Sequence, residues 1–398
     1  MAAVAVVGGG VAGLGAAHAL AAEHRVVVFD AGSHPGGHAR TVDVGPLTVD
    51  TGFIVYNEDN YPRLTRLFGE LGVRTRPTVM SFSVECRCGV AWSSRRPWRA
   101  GRGLLAEILR FLRTAESSDR DPRTLDEFLR AEGYSESFRR HYLVPMTAAL
   151  WSAPPGRALS MPTSFVLTFF RNHNLLGLRR RRWRTVVGGS RRYVDALLSN
   201  PGIVVRCETR VTAVAREPDG VGLVTADGVE ERFDAVVVAT SAPRALALLT
   251  DPSTDEQRLL GAFETAANET VLHTDARFLP CRRGERSAWN YQSATCGALA
   301  PASTVTYSAN RLQALPSGQE YCITLNRTGE IDPSAILAVH ADEHPQMTIE
   351  SHAAASELST LDGPRRTAFA GAWQGYGFHE DGLASGLRAA AAIERALA

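Results

Sequence analysis

Short, wholly apolar runs and amphipathic stretches alternate along this chain. Residues 2–7 form an uncharged apolar run, the pattern of a strand buried on both faces. Gly8-Gly9-Gly10-Val11-Ala12-Gly13 follows, 14–22 reads as a helix, and 25–29 is a second strand closed by Asp30. In the middle of the chain, 104–114, 124–132 and 136–150 carry the apolar spacing of amphipathic helices. Residues 81–92 read as a hairpin with Arg87, Cys88 and Gly89 at its tip, and 270–278, 287–292, 303–308 and 321–326 read as strands. No internal repeat or long low-complexity linker interrupts the pattern.

The first four elements have a specific chemistry. Strand, glycine turn, helix, strand and acid within about 30 residues is the context in which GxGxxG binds a dinucleotide. Gly8 makes the tight turn, Gly10 lets the backbone approach a pyrophosphate, and Gly13 lets helix and strand pack closely. The helix N-terminus offers N–H groups and a positive dipole end to the anion. Asp30, twenty residues after Gly10, is placed to accept hydrogen bonds from a ribose diol. The bland alternative is a glycine-rich turn without a ligand. This GxGxxG occurs once, and Gly188-Gly189-Ser190 is a different turn, which argues against a reductase with separate flavin and nicotinamide folds.

Composition narrows the classes. A length of 398 residues suggests two domains, and 44% hydrophobic residues suffice for a sizeable core. The net charge of +1 implies no polyelectrolyte partner and disfavours nucleic acid. All 43 basic residues are arginine, so mechanisms that need a lysine are excluded. Cys86, Cys88, Cys207, Cys281, Cys296 and Cys322 are scattered without a CxxC pair, so neither a disulfide framework nor a metal centre is expected. A reduced cytoplasmic setting follows, peripheral contact with the inner membrane surface remaining open. Residues 1–22 imitate a signal peptide, but no arginine precedes the apolar run and its glycines suit a turn.

A second glycine turn, Gly36-Gly37-His38-Ala39-Arg40-Thr41, stands directly after the second strand and leads to Asp50-Thr51-Gly52-Phe53. Here the sequence resembles the FAD-dependent flavin amine oxidase superfamily. The resemblance implies one FAD, with Gly37, Arg40, Thr41, Gly52 and Phe53 joining Gly8, Gly10, Gly13 and Asp30 in binding it. Arg40 would meet the diphosphate, while His38 stands where a first arginine is usual. Residues 208–214, with Val211, look like the strand whose backbone pairs with the adenine. Residues 233–240 look like the strand that returns to the FAD domain. Residues 367–386 resemble the family's last motif: a strand, a turn at Gly371, and a helix starting near Asp381 and Gly382. This motif lacks the cysteine that tethers flavin in covalent relatives, which implies non-covalent FAD. The implied architecture is α/β: a Rossmann-like, glutathione-reductase-type FAD domain from 1–60, 190–245 and 362–398. A substrate domain of mixed sheet plus helical cap, from 61–189 and 246–361, interrupts it twice.

The chain more narrowly resembles bacterial FAD-binding oxidoreductases related to the flavin domain fused to some plant cyclopropane-fatty-acyl synthases. Residues 50–57, Tyr61-Pro62, 272–275, 289–291, 324–326 and 373–386 carry this likeness. It implies redox chemistry on an apolar, fatty-acyl or polyene, substrate. Flavin amine oxidases place a lysine beside flavin N5; with none available, His273 is the candidate for proton movement and Asp275 for orienting it. The alternative for His273 is a histidine hydrogen-bonded within the core. Trp289, Tyr291, Trp373, Tyr376 and Phe378 are the expected substrate pocket, and Glu380 is the acid that could await a cation. Arg179–Arg182, Trp183 and Arg184 follow Leu175, Leu176 and Leu178, either as a mouth for an anionic lipid surface or as a solvated face. Three functions are therefore weighed: hydride transfer on a carbon substrate as desaturase, oxidase or isomerase; amine oxidation with dioxygen; and a non-catalytic FAD-stabilised partner of a lipid methyltransferase.

Overall fold

A computed structural model describes residues 1–117, 120–173, 175, 181–293 and 304–398; Cys296 and Ser303 fall outside them. Two sheets organise the chain. The first is a five-stranded parallel sheet in the order Ile203–Arg206, Arg25–Phe29, Ala3–Val7, Ala235–Val238, Thr367–Phe369. Its strands are near-continuous runs of Val and Ala because both faces are covered. Val4 and Val6 pack on the helices Val11–Leu20 and His379–Leu397. Ala5 and Val7 face the opposite layer, a three-stranded antiparallel sheet (Val211–Glu217, Gly220–Thr225, Glu230–Phe233) with helices Ala242–Leu248 and Thr254–Gly261.

The second sheet is mixed and seven-stranded. Its order is Ile336–Gln346, Glu264–His273, Cys322–Leu325, Val305–Ser308, Trp289–Ser293, Phe82–Cys86, Ala91–Ser93. Phe82, Val84, Trp92, Tyr291, Val305 and Leu325 point to one face and form a core with the helices Arg102–Ser117, Leu125–Ala131, Val144–Trp151 and Thr163–Asn172. The other face carries a buried polar ladder. His273 Nε2 bonds Thr324 Oγ1 at 2.7 Å, Thr324 bonds Thr306 at 2.8 Å, and Ser83 bonds Asn290 at 2.9 Å. Each of these five side chains has a partner, as burial requires.

Several elements differ from the sequence reading. The strand expected at 270–278 is Glu264–His273. The helix expected over 136–150 is a short Glu136–Phe138 turn, a π-helical turn Arg139–Leu143 and a helix Val144–Trp151. Pro145 explains the break: it has no N–H to give to the His141 carbonyl four residues earlier. That carbonyl instead accepts from Trp92 Nε1 at 2.7 Å. The helix Thr163–Asn172 and the strand Ile336–Gln346 were not anticipated. Among the described residues, no helix is long and apolar enough to cross a membrane.

Candidate functional site

The glycine turn after the first strand is built by close approach. Gly8 has φ +108°, and a Cβ there would lie 2.5 Å from the Ala239 carbonyl oxygen. A Cβ on Gly13 would lie 1.9 Å from the Gly8 oxygen, so only glycine lets helix and strand meet. A Cβ on Gly10 would meet nothing within 4 Å. Open space thus stands over the turn at the residue that precedes the Val11–Leu20 helix. That helix has no side-chain cap and no acid in its first turn, so its leading N–H groups are left for an anion. Asp30 braces the turn: its two carboxylate oxygens accept from Gly9 N at 2.8 Å and Gly32 N at 2.7 Å.

The second glycine turn lies against the first. Gly36 N donates to Gly9 O at 2.7 Å, and a Cβ on Gly37 (φ +57°) would stand 3.2 Å from the Gly10 Cα. Phe53 N donates to the His38 carbonyl at 2.7 Å, and a Cβ on Gly52 would reach that oxygen at 2.2 Å. Asp50, fully buried, pins three segments together. It accepts from the Thr41 hydroxyl at 2.5 Å, Ser190 N at 2.8 Å and Gln313 Nε2 at 3.0 Å. Burial pushes its carboxyl up to about 6 against those hydrogen bonds.

Arg40 does not stand free over the cradle. Its guanidinium donates from Nε to Thr51 at 3.1 Å and from Nη2 to both Asp342 oxygens at 3.0 and 2.8 Å. Asp342 lies on the unanticipated strand Ile336–Gln346, so the pair ties the second glycine turn to the mixed sheet. Burial pushes the Asp342 carboxyl up, but Arg40, the field of His38 and the Thr270 hydroxyl (2.7 Å) overcome it and hold the group at about 2.

Two histidines extend this polar group. The rings of His38 and His344 meet edge to face with centroids 5.2 Å apart. Asn326 Nδ2 donates to Asn268 Oδ1 at 2.7 Å, which orients the Asn268 amide so that its Nδ2 donates to His344 Nδ1 at 3.0 Å. His344 therefore carries its proton on Nε2. Burial, with the neighbouring His38, pulls His344 down to about 3, and burial also lowers His38. Both rings are neutral at pH 7. His38 Nε2 is buried and has no hydrogen-bond partner among the described residues. Asn268, Thr270, Asp342 and His344 had no signal in the sequence beyond their polarity; only the pairing of the two strands collects them.

The C-terminal motif closes the site. Its helix is His379–Leu397, starting two residues before the expected Asp381. A Cβ on Gly382 would reach Val11 Cγ1 at 2.8 Å and one on Gly386 the Ala12 oxygen at 2.1 Å, so the first turns of the two helices touch. Gly371 N donates to Ser385 Oγ at 2.9 Å. Asp381 caps its own helix, accepting from Phe378 N at 3.0 Å, and burial raises its carboxyl to about 6. Phe53 stacks on His379 with centroids 3.9 Å apart.

An aromatic wall stands beside this junction. Tyr376 and Phe378 pack on Phe165 and Phe169 of the helix Thr163–Asn172, with centroids 4.9 to 5.4 Å apart. Trp151 joins them, donating from Nε1 to the Tyr376 carbonyl at 3.0 Å. Trp289 and Tyr291 belong to the cap-facing side of the mixed sheet, where Trp289 meets Tyr307 at 5.2 Å. Trp373 departs from expectation. It is buried against Phe263 in the core of the parallel sheet and donates to the Thr240 carbonyl at 3.0 Å, so its ring braces the fold rather than the wall. Glu380 is also committed elsewhere, accepting from Arg63 N at 3.1 Å and Leu64 N at 3.0 Å at the start of the helix Pro62–Glu70.

The remaining expected residues lie apart. His273 sits on the polar ladder, on the sheet face opposite Thr270 and Tyr291. Its Nδ1 accepts from Asp275 N at 3.2 Å, and burial lowers it to about 4. The Asp275 carboxylate is bound by Arg277 at 2.6 to 3.1 Å, not by the imidazole. Val211 is buried at the start of its strand, and the preceding Thr209 N donates to Asp30 O at 2.9 Å. Of the basic patch, Arg179 and Arg180, with Leu176 and Leu178, fall outside the described residues. Arg181 pairs with Asp59 at 2.6 Å, and Arg184 donates to Thr75 at 2.9 Å.

A dinucleotide with a flavin fits these residues on two observations: the open space at Gly10, and the buried His38 Nε2, next in sequence to the Gly37 that abuts Gly10 and without a hydrogen-bond partner among the described residues. The family model for flavin containing amine oxidoreductases matches residues 11–394. No curated protein matches the sequence. Among solved structures, the chain is similar to cyclohexylamine oxidase from Brevibacterium oxydans, at 18% identity and a TM-score of 0.75 over 100% of this chain and 99% of that one. It is similar to a CLA-producing fatty acid isomerase from P. acnes at 14% identity and TM-score 0.72, covering 97% of each chain. A putrescine oxidase bound to putrescine matches at 14% identity and TM-score 0.73, over 99% of each.

Proposed function

We propose, from the premise that this chain belongs to the flavin-containing amine oxidoreductase family and is an FAD-dependent oxidoreductase, that its substrate is an apolar carbon chain of the fatty-acyl or polyene kind. The reaction is hydride transfer as desaturase, oxidase or isomerase. The observation that carries this reading is the aromatic wall with both adjacent acids turned away. Tyr376 and Phe378 present half-buried aromatic faces backed by the buried Phe165 and Phe169, while Glu380 and Asp381 are spent on backbone N–H groups. An ammonium substrate would be left without a counter-charge there, at a desolvation cost of several kcal/mol. The fatty acid isomerase among the structural relatives supports the same substrate class.

The first turn of the Val11–Leu20 helix, Gly10 and Asp30 would hold the dinucleotide, and Gly371 with the first turn of the last helix would hold its far end. FAD, when bound, supplies the hydride acceptor. The chain supplies a rigid dipolar surround. His344 presents a proton at Nε2 as a neutral donor, His38 Nε2 awaits a partner, and Asp342 keeps Arg40 fixed. Such preorganised groups need no reorientation during reaction. Burial lowers both imidazoles, His344 to about 3, so at pH 7 the neutral form of His344 orients rather than titrates. The test is anaerobic bleaching of the flavin by a panel of unsaturated and methyl-branched phospholipids, polyenes and amines. Bleaching by a chain without an amine is expected; bleaching by amines alone would overturn the reading.

A further inference from the structure

Away from this site, the tip of the Phe82–Cys86/Ala91–Ser93 hairpin meets the cap helices. There the sulfurs of Cys86 and Cys88 and a ring nitrogen of His141 all lie within 4.8 Å of one another. Cys86 and His141 are buried, and Cys88 is exposed. Cys88 Sγ stands 3.4 Å from His141 Nε2. Around a tetrahedral zinc with bonds of about 2.3 Å to sulfur and about 2.0–2.1 Å to nitrogen, a sulfur and a nitrogen ligand stand about 3.5 Å apart.

The imidazole is prepared for such a role. His141 Nδ1 lies 3.0 Å from the Ser137 carbonyl, which can only accept, so Nδ1 carries the proton and Nε2 turns a lone pair toward the thiols. A backbone carbonyl on the far nitrogen is the usual way in which a metal-binding histidine is oriented. The π-helical turn Arg139–Leu143 sets the ring in place, and Trp92 Nε1 holds the His141 carbonyl at 2.7 Å. Two independent features of the backbone, the hairpin tip and the π turn, thus converge on one point.

We propose that Cys86, Cys88 and His141 bind a zinc ion that fastens the hairpin to the cap. Three ligands of sulfur and nitrogen suit a borderline-soft d¹⁰ cation, and the fourth position is left to water or another donor. Both thiols bind as thiolates, releasing two protons to solvent, so affinity rises with pH. The ion changes no oxidation state.

The test uses the flavin-loaded protein kept under a phosphine reductant, dialysed against chelator and titrated with Zn²⁺ in competition with a chromophoric chelator. One equivalent should bind, and the melting temperature should rise with it. Co²⁺ should give tetrahedral d–d bands in the red, beyond flavin absorption. Cys88→Ser, at an exposed hairpin tip, should fold and abolish these signals, as should His141→Gln with its flavin content checked. Cys281→Ser, an exposed thiol elsewhere, should change nothing. Failure to bind one equivalent, or binding untouched by Cys88→Ser, would overturn the proposal.

Discussion

Replacing Asp342 by Asn cuts the link between the second glycine turn and the mixed sheet while keeping shape. The wild-type carboxylate takes two Arg40 bonds at 3.0 and 2.8 Å and one from Thr270 at 2.7 Å, with its side chain only 7% exposed. A carboxyl held at about 2 instead of its ordinary 3.8 contributes about 2 kcal/mol to folding. Breaking a fully buried pair costs about 3–5 kcal/mol, and Arg40, with a side chain 24% exposed, keeps part of its hydration. The expected loss is therefore about 2 kcal/mol in urea unfolding at fixed excess FAD, a condition needed because ligand shifts apparent stability. The pKa is depressed on folding, so this stability is fully present above about pH 4 and lost as pH falls toward 2. Between pH 5 and 8 the difference between the proteins should be flat. Asp50 and Asp381, pushed up to about 6, act alike in both and cancel. An Arg40→Gln/Asp342→Asn double variant should recover part of the loss, since the uncompensated arginine is gone. A loss under about 0.5 kcal/mol, where ordinary surface substitutions lie, or one that grows from pH 5 to 8, would refute the reasoning.

Gly10→Val should leave the melting temperature of the flavin-free chain near wild type yet abolish FAD binding, whereas Gly13→Ala should lower stability by roughly 1–3 kcal/mol through overpacking against the Gly8 oxygen; the reverse pattern would sink the cradle assignment. His273→Ala should cost roughly 1–3 kcal/mol by stranding Thr324 and the Asp275 N–H, with flavin reduction slowed far less than the 10²-fold or more of a lost acid–base residue. A rate collapse in a stable variant would restore its catalytic candidacy. Acid precipitation should release the yellow colour to the supernatant; colour on the pellet would mean a covalent flavin. Neutral and anionic liposomes should bind the protein alike, because Arg181 and Arg184 are already engaged; salt-sensitive preference for anionic vesicles would show a basic mouth.

The glycine cradle was legible because its constraint is local. Gly8 and Gly13 answer to clashes with atoms a few residues away, and spacing alone records them. Gly371, Gly382 and the last helix followed from resemblance. The polar group around His344 was hidden for a physical reason. The strand Ile336–Gln346 leaves Leu337 and Val339 exposed and carries acids, histidines and a proline, so it lacks the apolar alternation by which strands are read. His273 is a candidate because it stands on the strand that the resemblance gives to the family's lysine, but the strand's alternation puts Thr270 on the side that reaches Asp342 and His273 on the other. Trp373 misled because an aromatic in a glycine motif suits a pocket wall and a core equally. Pro145 is the sequence signal that the helix read over 136–150 should break, and the carbonyl it frees at His141 is taken by Trp92, a partner from a distant strand.

The order of the parallel sheet also sets a timetable. Ala3–Val7 lies between Arg25–Phe29 and Ala235–Val238, and the outermost strand Thr367–Phe369 comes about 360 residues after the first. At ~5–20 residues per second, the ribosome takes roughly 20–70 s to cover that distance. Until Ala235–Val238 emerges, about 230 residues after the first strand, the edge of Ala3–Val7 stays open, and from then until Thr367–Phe369 arrives the edge of Ala235–Val238 does; either can recruit other strands. The helix packed on Val11–Leu20 is delivered last of all. Contacts so distant in sequence make for slow folding. Expression yield should therefore depend on chaperone capacity during synthesis, even if the finished protein is stable.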